Sequence, residues 1–253
     1  IVVLGRYVPY LSFLDTLLGD RPALSLGQRF YQRLLADDVD EASGLIEQEL
    51  DDSERTLPQV FDDLAIPALV QARMDFRKGT MDTDEQKEFI ENLKNVIEAE
   101  DKNSVIRTEE QQESAERKVI LAIPARDATD ELAVTMLGKS ISNDHFDWHE
   151  MSSLGLATDT LAMIVELKAS IIVIASVYPG SLAHTIYLCK RIRTRFPDVM
   201  IVASRLGVDD PDMMKNNSDK LHAVGAKVVP LTLQETLLEL DKLYLLDVPR
   251  TDQ

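Results

Sequence analysis

The stretch Lys118-Val-Ile-Leu-Ala-Ile-Pro-Ala-Arg-Asp-Ala-Thr129 decides the fold of this chain. Its first six residues form a short apolar run rich in β-branched side chains, which is typical of a buried strand. Residues 124–129 have the composition of a loop, and apolar residues then recur at helical spacing as far as Ile141. A strand, a loop and a helix in this order predict the first unit of a parallel sheet. Because ligands bind beyond the carboxyl ends of such strands, we expect Ala125 to Thr129 to contribute to any site.

The alternation of strand and helix continues to the end of the chain. Apolar runs predict four further strands, and each is followed by a segment with helical periodicity; these runs lie at residues 146–151, 170–175, 199–203 and 227–230. Five strands alternating with five helices predict an α/β fold, namely a doubly wound, flavodoxin-like five-stranded parallel sheet in the order 2-1-3-4-5. We assign this flavodoxin-like α/β domain to residues 118–253.

Toward the amino terminus the apolar periodicity becomes helical throughout. Residues 24–97 hold several amphipathic segments, and Pro67 lies inside one of them, where it predicts a kink or restart of the helix at Ile66-Pro67. Residues 98–117 are almost wholly polar and rich in glutamate, which is typical of a linker. The sequence therefore predicts an N-terminal helical bundle, the helical cap domain, over residues 24–97 and an acidic linker over residues 98–117.

Composition limits the classes of partner. The 253 residues are 45% apolar, which is enough for two domains with cores, and the formal net charge is −17. Phosphate backbones are bound by clustered lysine and arginine, so this charge argues against a nucleic-acid partner. The single cysteine, Cys189, cannot form an internal disulfide, which fits a reducing compartment. We interpret it as a half-buried structural thiol.

The first residues suggest a membrane boundary. Ile1-Val-Val-Leu-Gly5 is far too short to span a bilayer, but Arg6, Tyr7 and Tyr10 follow it directly. A cation beside aromatic residues is typical of the membrane-water interface on the cytoplasmic side. Two interpretations stay open: residues 1–23 are a juxtamembrane arm behind a truncated transmembrane segment, or they begin an ordinary amphipathic helix.

Polar residues follow the predicted strands at the edge where a ligand would bind. Since the first and third strands of this fold are neighbours at the switch of winding direction, their two loops face a common crevice. We predict a ligand site between the helical half and these strand ends, with contacts from Asp127, Thr129, Ser176, Tyr178 and Ser181. The alternative is that these side chains only cap helices and close turns, and that the crevice is filled.

Several chemistries are disfavoured. A phosphorelay receiver needs an aspartate at the end of the third strand, where this chain has Ala175-Ser176. The loop from Pro124 to Ala128 has no glycine to admit a dinucleotide pyrophosphate. The 4 histidines lack metal-ligand spacing, and no nucleophile motif or carboxylate pair stands out. We therefore expect a protein that is not an enzyme and has no metal site.

The order of helical cap, acidic linker and flavodoxin-like half resembles the cobalamin-binding modules of methyltransferases and light-sensing repressors, over roughly residues 30–246. In that family the loop after the first strand carries Asp-x-His-x-x-Gly, and its histidine ligates cobalt. This chain has Asp127, Thr129 and Leu132 at those positions. The resemblance implies a cobalamin-binding-like scaffold, while the missing histidine and glycine imply that cobalamin is not bound. We expect no cofactor.

A second resemblance concerns the beginning of the chain. The segments Val2-Val-Leu-Gly-Arg-Tyr-Val-Pro-Tyr-Leu11, Phe13-Leu-Asp-Thr-Leu-Leu-Gly-Asp20 and Phe30-Tyr-Gln-Arg-Leu-Leu-Ala36 resemble the region after the last membrane helix in long members of the autoinducer-2 exporter family of permeases. The resemblance implies a transmembrane domain in the same polypeptide and a location at the cytoplasmic face of the inner membrane.

Together these observations favour a non-enzymatic cytoplasmic regulatory or ligand-sensing domain of a membrane transporter, with a small-molecule ligand and a homo-oligomeric state. The alternative is a corrinoid-binding or corrinoid-dependent carrier or enzyme domain. The two hypotheses differ in the residues they require upstream of Ile1: transmembrane helices for the first, a methionine start or a soluble partner domain for the second.

Overall fold

The computed structural model describes residues 24–51, 54–99, 117–141, 145–155 and 157–247. The predicted juxtamembrane arm, residues 1–23, lies outside this part of the chain, as does the predicted linker apart from residues 98, 99 and 117. Within the described residues, no helix has both the length and the apolar character needed to cross a bilayer.

The first described half is helical. Its helices are α1 (Leu26–Leu35), α2 (Val39–Asp51), α3 (Leu57–Asp63), α4 (Ala65–Lys78) and α5 (Thr83–Ala99). Ser25 begins α1 through a capping box with Gln28, and Gly79 ends α4 with a left-handed φ of 75°. The helix was predicted to break at Ile66-Pro67, but the break between α3 and α4 lies at Leu64. Pro67 instead lies in the first turn of α4, where the missing N–H leaves no helical hydrogen bond unmade.

The second half alternates strands and helices. Its elements are β1 (Lys118–Pro124), α6 (Ala128–Ser140), β2 (Phe146–Glu150), α7 (Ala157–Leu167), β3 (Ile171–Val177), α8 (Leu182–Arg195), β4 (Met200–Leu206), α9 (Pro211–His222) and α10 (Leu233–Asp247). All strand pairs are parallel, in the order β2-β1-β3-β4. The register aligns Ile120 with Ile171 and Ile171 with Met200. The carboxyl ends of β1 and β3 are therefore adjacent.

The prediction of five strands is wrong, because the sheet of the described residues has four. The segment 227–230 does lie beside β4, and Val228 forms a parallel bridge with Val202. The carbonyl oxygens of Val228 and Pro230 also accept from Ala203 and Arg205. Four residues ending in a proline, which has no N–H to donate, are too few to extend this pairing into a ladder.

The sheet is covered on both faces, which gives three layers. The face formed by Ile120, Val173 and Val202 packs against α6, α10 and the helices of the first half in one continuous apolar cluster. The opposite face, with Leu121 and Ile172, packs against α7, α8 and α9. Because the helices of the first half share a core with the sheet, α4 and α5 lie close to the loops that follow β1 and β3.

Candidate ligand-binding cleft

A cleft of about 750 Å³ lies between the helical half and the carboxyl edge of the sheet. We call it the main cleft. The C-terminal part of α4 and the first half of α5 form one wall, and the loops β1–α6 and β3–α8 form the other. The residues that line the cleft include Arg73, Phe76, Arg77, Gln86, Lys87, Ile90, Glu91, Arg126, Asp127, Ala128, Thr129, Gly180 and Ser181. The described residues leave this volume between the two walls, and its occupation by a ligand stays a prediction.

Arg73 connects the two walls. It lies on the buried face of α4, one turn after Leu69, and only 7% of it is exposed. Its guanidinium donates to the carboxylates of Asp127 and Asp130, to the carbonyl oxygen of Val177 and to the hydroxyl of Ser181. A buried cation requires such partners, because transferring an unpaired charge from water is costly. One side chain of α4 therefore reaches both strand-end loops.

Asp130 is the central acceptor of this network. Its carboxylate is fully buried and accepts from the backbone N–H of Val177 at 2.9 Å and from the Ser181 hydroxyl at 2.7 Å. Nη1 and Nη2 of Arg73 both lie 3.2 Å from its Oδ1. Burial raises the pKa of Asp130, and the positive charge of Arg73 opposes this rise. The same hydrogen bonds hold Ser181 in its left-handed conformation at φ 58°.

Asp127 has two roles at the mouth of the main cleft. As the N-cap of α6 it accepts from the N–H of Asp130, and it also forms an ion pair with Arg73. Its side chain is 43% exposed, whereas that of Asp130 is fully buried. A molecule in the main cleft would thus meet Asp127 directly and Asp130 only through Arg73 and Ser181.

The structure separates the five predicted site residues into three groups. Asp127, Thr129 and Ser181 line the main cleft. Tyr178 faces a second cleft, described below. Ser176 lies inside β3, is fully buried and donates to the carbonyl oxygen of Ser204 at 3.1 Å, so it faces neither cleft. The strand ends at Val177, two residues later than predicted, which places Ser176 in the sheet and not in the loop.

The second cleft has a volume of about 610 Å³ and lies at the end of β4. Its lining includes Tyr31, Asp62, Val70, Tyr178, Gly207, Asp209, Asp210 and Met213. Asp62 accepts from the N–H groups of Leu233 and Gln234 at 2.7 and 3.0 Å, which joins α3 to the first turn of α10. Burial raises the pKa of Asp62 to about 6 despite these two hydrogen bonds.

Arg205 lies behind Tyr178. It lies within β4, only 2% of it is exposed, and its guanidinium lies 5.9 Å from the centre of the Tyr178 ring. Its Nε and Nη1 atoms have no hydrogen-bond partner among the described residues. Burial lowers the pKa of Arg205 to about 10, while the charge of Asp130 raises it. Arg205 therefore stays charged at neutral pH and adds positive potential near Asp130.

Sequence reasoning missed Arg73 and Asp130, although a signal for both was present. Arg73 falls seven residues after Ile66 and four after Leu69, on the apolar face of a helix. Asp130 falls four residues before Val134 on the buried face of α6. A charge on the apolar face of an amphipathic helix needs a buried partner, and these two residues of opposite charge supply one for each other.

Within the described ranges, no group of three or more histidine, cysteine, aspartate or glutamate side chains is placed to hold a metal ion. The residues that line the main cleft include no histidine, and Thr129 is buried.

Comparison with known proteins yields structural likenesses only. No family model matches the chain, and no curated protein matches it. A cobalamin-binding protein from Desulfitobacterium hafniense DCB-2 is similar with a TM-score of 0.39 and 11% identity, over 85% of this chain and 96% of that one. The methanol:cobalamin methyltransferase complex MtaBC from Methanosarcina barkeri is similar with a TM-score of 0.39 and 10% identity, over 96% and 92%. The GsuK RCK domain has a TM-score of 0.33 and 21% identity, over 54% and 30%.

These likenesses are too weak to carry an argument about function. The structure itself shows a mixed α/β protein with helices and a parallel sheet, in accord with the predicted scaffold. None of the comparisons supports the predicted resemblance to the autoinducer-2 exporter family.

Proposed function

We propose that this chain is a non-enzymatic, ligand-sensing regulatory domain whose small-molecule ligand binds in the main cleft. One observation carries the proposal: the buried Arg73 network forms part of the cleft wall and also joins the helical half to both strand-end loops. A ligand in this space would contact the residues that hold the two walls together.

The network provides a means of transmitting binding. A ligand shifts a conformational equilibrium by the difference between its affinities for two states. Asp127 is shared between Arg73 and the mouth of the main cleft, so a ligand that contacts Asp127 changes how strongly Arg73 is held. The position of α4 relative to the sheet would then depend on whether the ligand is bound.

The hydrogen-bonded pair of Ser181 and Asp130 supports a structural role better than a catalytic one. A serine beside a carboxylate resembles a nucleophile with its base. However, only 4% of Ser181 is exposed, and its hydroxyl already donates to the fully buried Asp130. Asp130 in turn is paired with Arg73, so it is poorly suited to accept a further proton. This favours a domain that is not an enzyme.

The cellular setting of the proposal comes from the first residues. The likeness of residues 2–36 to the juxtamembrane region of a permease supports a regulatory domain of a membrane transporter at the cytoplasmic face of the inner membrane. In this setting the partners are a transmembrane domain of the same polypeptide and further copies of the chain. Reading the coding sequence upstream of Ile1 tests this part, since a soluble partner domain there would contradict it.

Thermal-shift screening tests the ligand site. We would screen a metabolite library against the native protein and against Ala128→Trp, which places an indole in the main cleft from an exposed position outside the Arg73 network. We expect at least one compound that raises the Tm of the native protein but not that of Ala128→Trp. The matched control is Ala36→Trp, an exposed position after α1. Compounds that stabilise both Trp variants equally would contradict binding in the main cleft.

A corrinoid-binding domain is the second candidate. The observation in its favour is the arrangement itself, with helices packed over the carboxyl edge of a parallel sheet and an open cleft between them. The residues on the wall fit this cofactor poorly, because Thr129 replaces the cobalt-ligating histidine and the buried side chain of Leu132 occupies the place of the glycine. Titration with hydroxocobalamin distinguishes the two candidates: we expect no histidine-ligated absorption spectrum, and observing one would favour the corrinoid function.

A further inference from the structure

The main cleft is more basic than the chain as a whole. Its walls carry four cations, Arg73, Arg77, Lys87 and Arg126, and two carboxylates, Glu91 and Asp127. The whole sequence instead has 44 acidic and 27 basic residues. Positive charge collected in a concave surface of an otherwise acidic protein attracts anions and repels cations.

Two of these cations have no partner among the residues that the structure describes. Arg73 is neutralised by Asp127 and Asp130, and Lys87 lies 3.2 Å from Asp84. Neither Arg77 nor Arg126 makes an ion pair or a hydrogen bond to any described residue. Arg77 extends from the last turn of α4 and Arg126 from the β1–α6 loop, so the two unpaired guanidinium groups belong to opposite walls.

The same space also offers an apolar surface. Phe76 is 38% exposed on α4, and Ile90 of α5 is partly buried beside it on the same wall. On the opposite wall, a side chain added at Gly180 would meet no atom within 4 Å, so the backbone there is open to the cleft. A bound molecule could therefore rest an apolar or aromatic part against Phe76 while its charged part meets the arginines.

The beginning of α8 adds to the positive potential. It lies at this cleft, and helix N-termini favour anions, whereas the start of α6 is already capped by the Asp127 carboxylate. Ser181 precedes α8 but gives it no side-chain cap, because its hydroxyl donates to Asp130. The first N–H of α8, that of Leu182, donates instead to the carbonyl oxygen of Gly180 at 2.8 Å.

We propose that the ligand of the main cleft is an organic anion, a phosphate or carboxylate ester or acid, whose charged group bridges Arg77 and Arg126 while its apolar part contacts Phe76. This inference rests on the proposed function and specifies its ligand class. Guanidinium groups suit such anions, since they present parallel N–H donors to two oxygen atoms. Bridging the two walls would draw α4 and α5 toward the β1–α6 loop.

Isothermal titration of the complete chain tests the inference, with AMP, inorganic phosphate, citrate and adenosine as probes. We expect AMP or citrate to bind with a Kd below about 1 mM and adenosine to bind at least tenfold more weakly. AMP and phosphate binding without citrate binding assigns a phosphate group, and citrate binding without AMP or phosphate binding assigns a carboxylate.

The double variant Arg77→Gln/Arg126→Gln should weaken binding of the tightest anion about tenfold or more. The control Lys78→Gln removes a cation from the same turn of α4 outside the cleft lining and should change the Kd less than about twofold.

The outcomes separate this inference from the proposed function. If no anionic probe binds up to about 10 mM, or if the double variant binds as the native protein does, the inference is overturned. If a neutral compound from the library binds and Ala128→Trp abolishes its binding, the proposed function stands while the anionic ligand class is overturned. If anion binding survives both in Ala128→Trp and in the double variant, the anion binds outside the main cleft and both fail.

Discussion

Arg73 and Asp130 depend on each other, because both side chains are buried and each supplies the charge that the other needs. Replacing Arg73 by leucine would leave the Asp130 carboxylate buried without its cation. We expect Arg73→Leu to lower the free energy of unfolding by about 3 to 5 kcal/mol in urea denaturation. A double-mutant cycle with Asp130→Asn should show a coupling energy of about 1 to 3 kcal/mol.

The neighbouring arginine provides the control for this prediction. Arg77 is exposed and has no partner among the described residues, so Arg77→Leu should change the unfolding free energy by less than about 0.5 kcal/mol. A loss below about 1 kcal/mol for Arg73→Leu would mean that the buried contacts of Arg73 contribute little to the fold.

Asp62 makes stability depend on pH in a direction opposite to that of a salt-bridged carboxylate. Its pKa is raised by burial from 3.8 to about 6, so its protonated form is favoured in the folded state. The stabilisation from protonated Asp62 is fully present below about pH 4 and is lost as the pH rises through about 6. We expect native protein to lose on the order of 1 to 2 kcal/mol relative to Asp62→Asn between pH 5 and 7.5.

Urea denaturation of both proteins across this range measures the difference, and it avoids the region of the sequence pI, near 4.6. Using the difference between two variants removes the contributions of all other titrating groups. A relative gain by the native protein as the pH rises would show that the N–H groups of Leu233 and Gln234 stabilise the Asp62 carboxylate more than burial destabilises it.

At the scale of elements, the sequence predicted β1, its loop and α6 well, because an apolar run followed by helical periodicity is a local signal. The same local signal predicted that the carboxyl ends of β1 and β3 lie at one edge of the sheet. The exact end of a strand was less predictable. A strand longer by two residues moved Ser176 from the loop into the buried sheet, where its neighbours on β4 decide what it contacts.

The packing of α4 against the sheet could not be predicted from local sequence patterns. Arg73 is 54 residues from Asp127 and 57 from Asp130, and no periodicity within α4 or α6 states which face of one meets the other. The segment 227–230 is a second case in which local sequence was not enough to predict the structure. Its apolar residues predicted a strand, but the number of ladder hydrogen bonds depends on Pro230 and on how far β4 extends beside it.

Gly207 fixes how closely α4 packs on the loop after β4. It has a left-handed φ of 73°, and a Cβ built on it would lie 2.4 Å from Cγ2 of Val70. We expect Gly207→Ala to lower the unfolding free energy by about 2 to 3 kcal/mol, through both strain and overpacking. The matched control is Gly44→Ala in α2, where the added methyl meets no atom within 4 Å and should stabilise the helix by about 0.5 to 1 kcal/mol. Equal effects of the two substitutions would refute this close packing.

At the scale of the whole molecule, the sequence indicated two domains, and this division stays a prediction. The change from helical periodicity to alternating strands and helices did locate where the sheet begins, at Lys118. The sequence did not indicate that Phe30 and Leu69 of the helical half would share one apolar cluster with Ile120 and Val173 of the sheet. Such a shared core depends on which surfaces meet after folding. Hydrophobic periodicity predicts which face of a helix is buried, but it does not predict which element packs against that face.

A shared core should make the two halves unfold together. The chain has one tryptophan, Trp148 in β2, which reports on the sheet. A second protein, Trp148→Phe/Phe76→Trp, moves the reporter to a partly exposed position on α4. For each protein we would subtract the urea midpoint measured by circular dichroism from the midpoint measured by tryptophan fluorescence. We expect these two differences to agree within about 0.2 M. Removing either half would expose apolar surface that only the other half covers, so neither is expected to persist alone through the transition. Separate midpoints for β2 and α4 would instead establish two independently stable domains. The ion pair of Arg73 with Asp130 would then be a contact between domains and not part of one cooperative core.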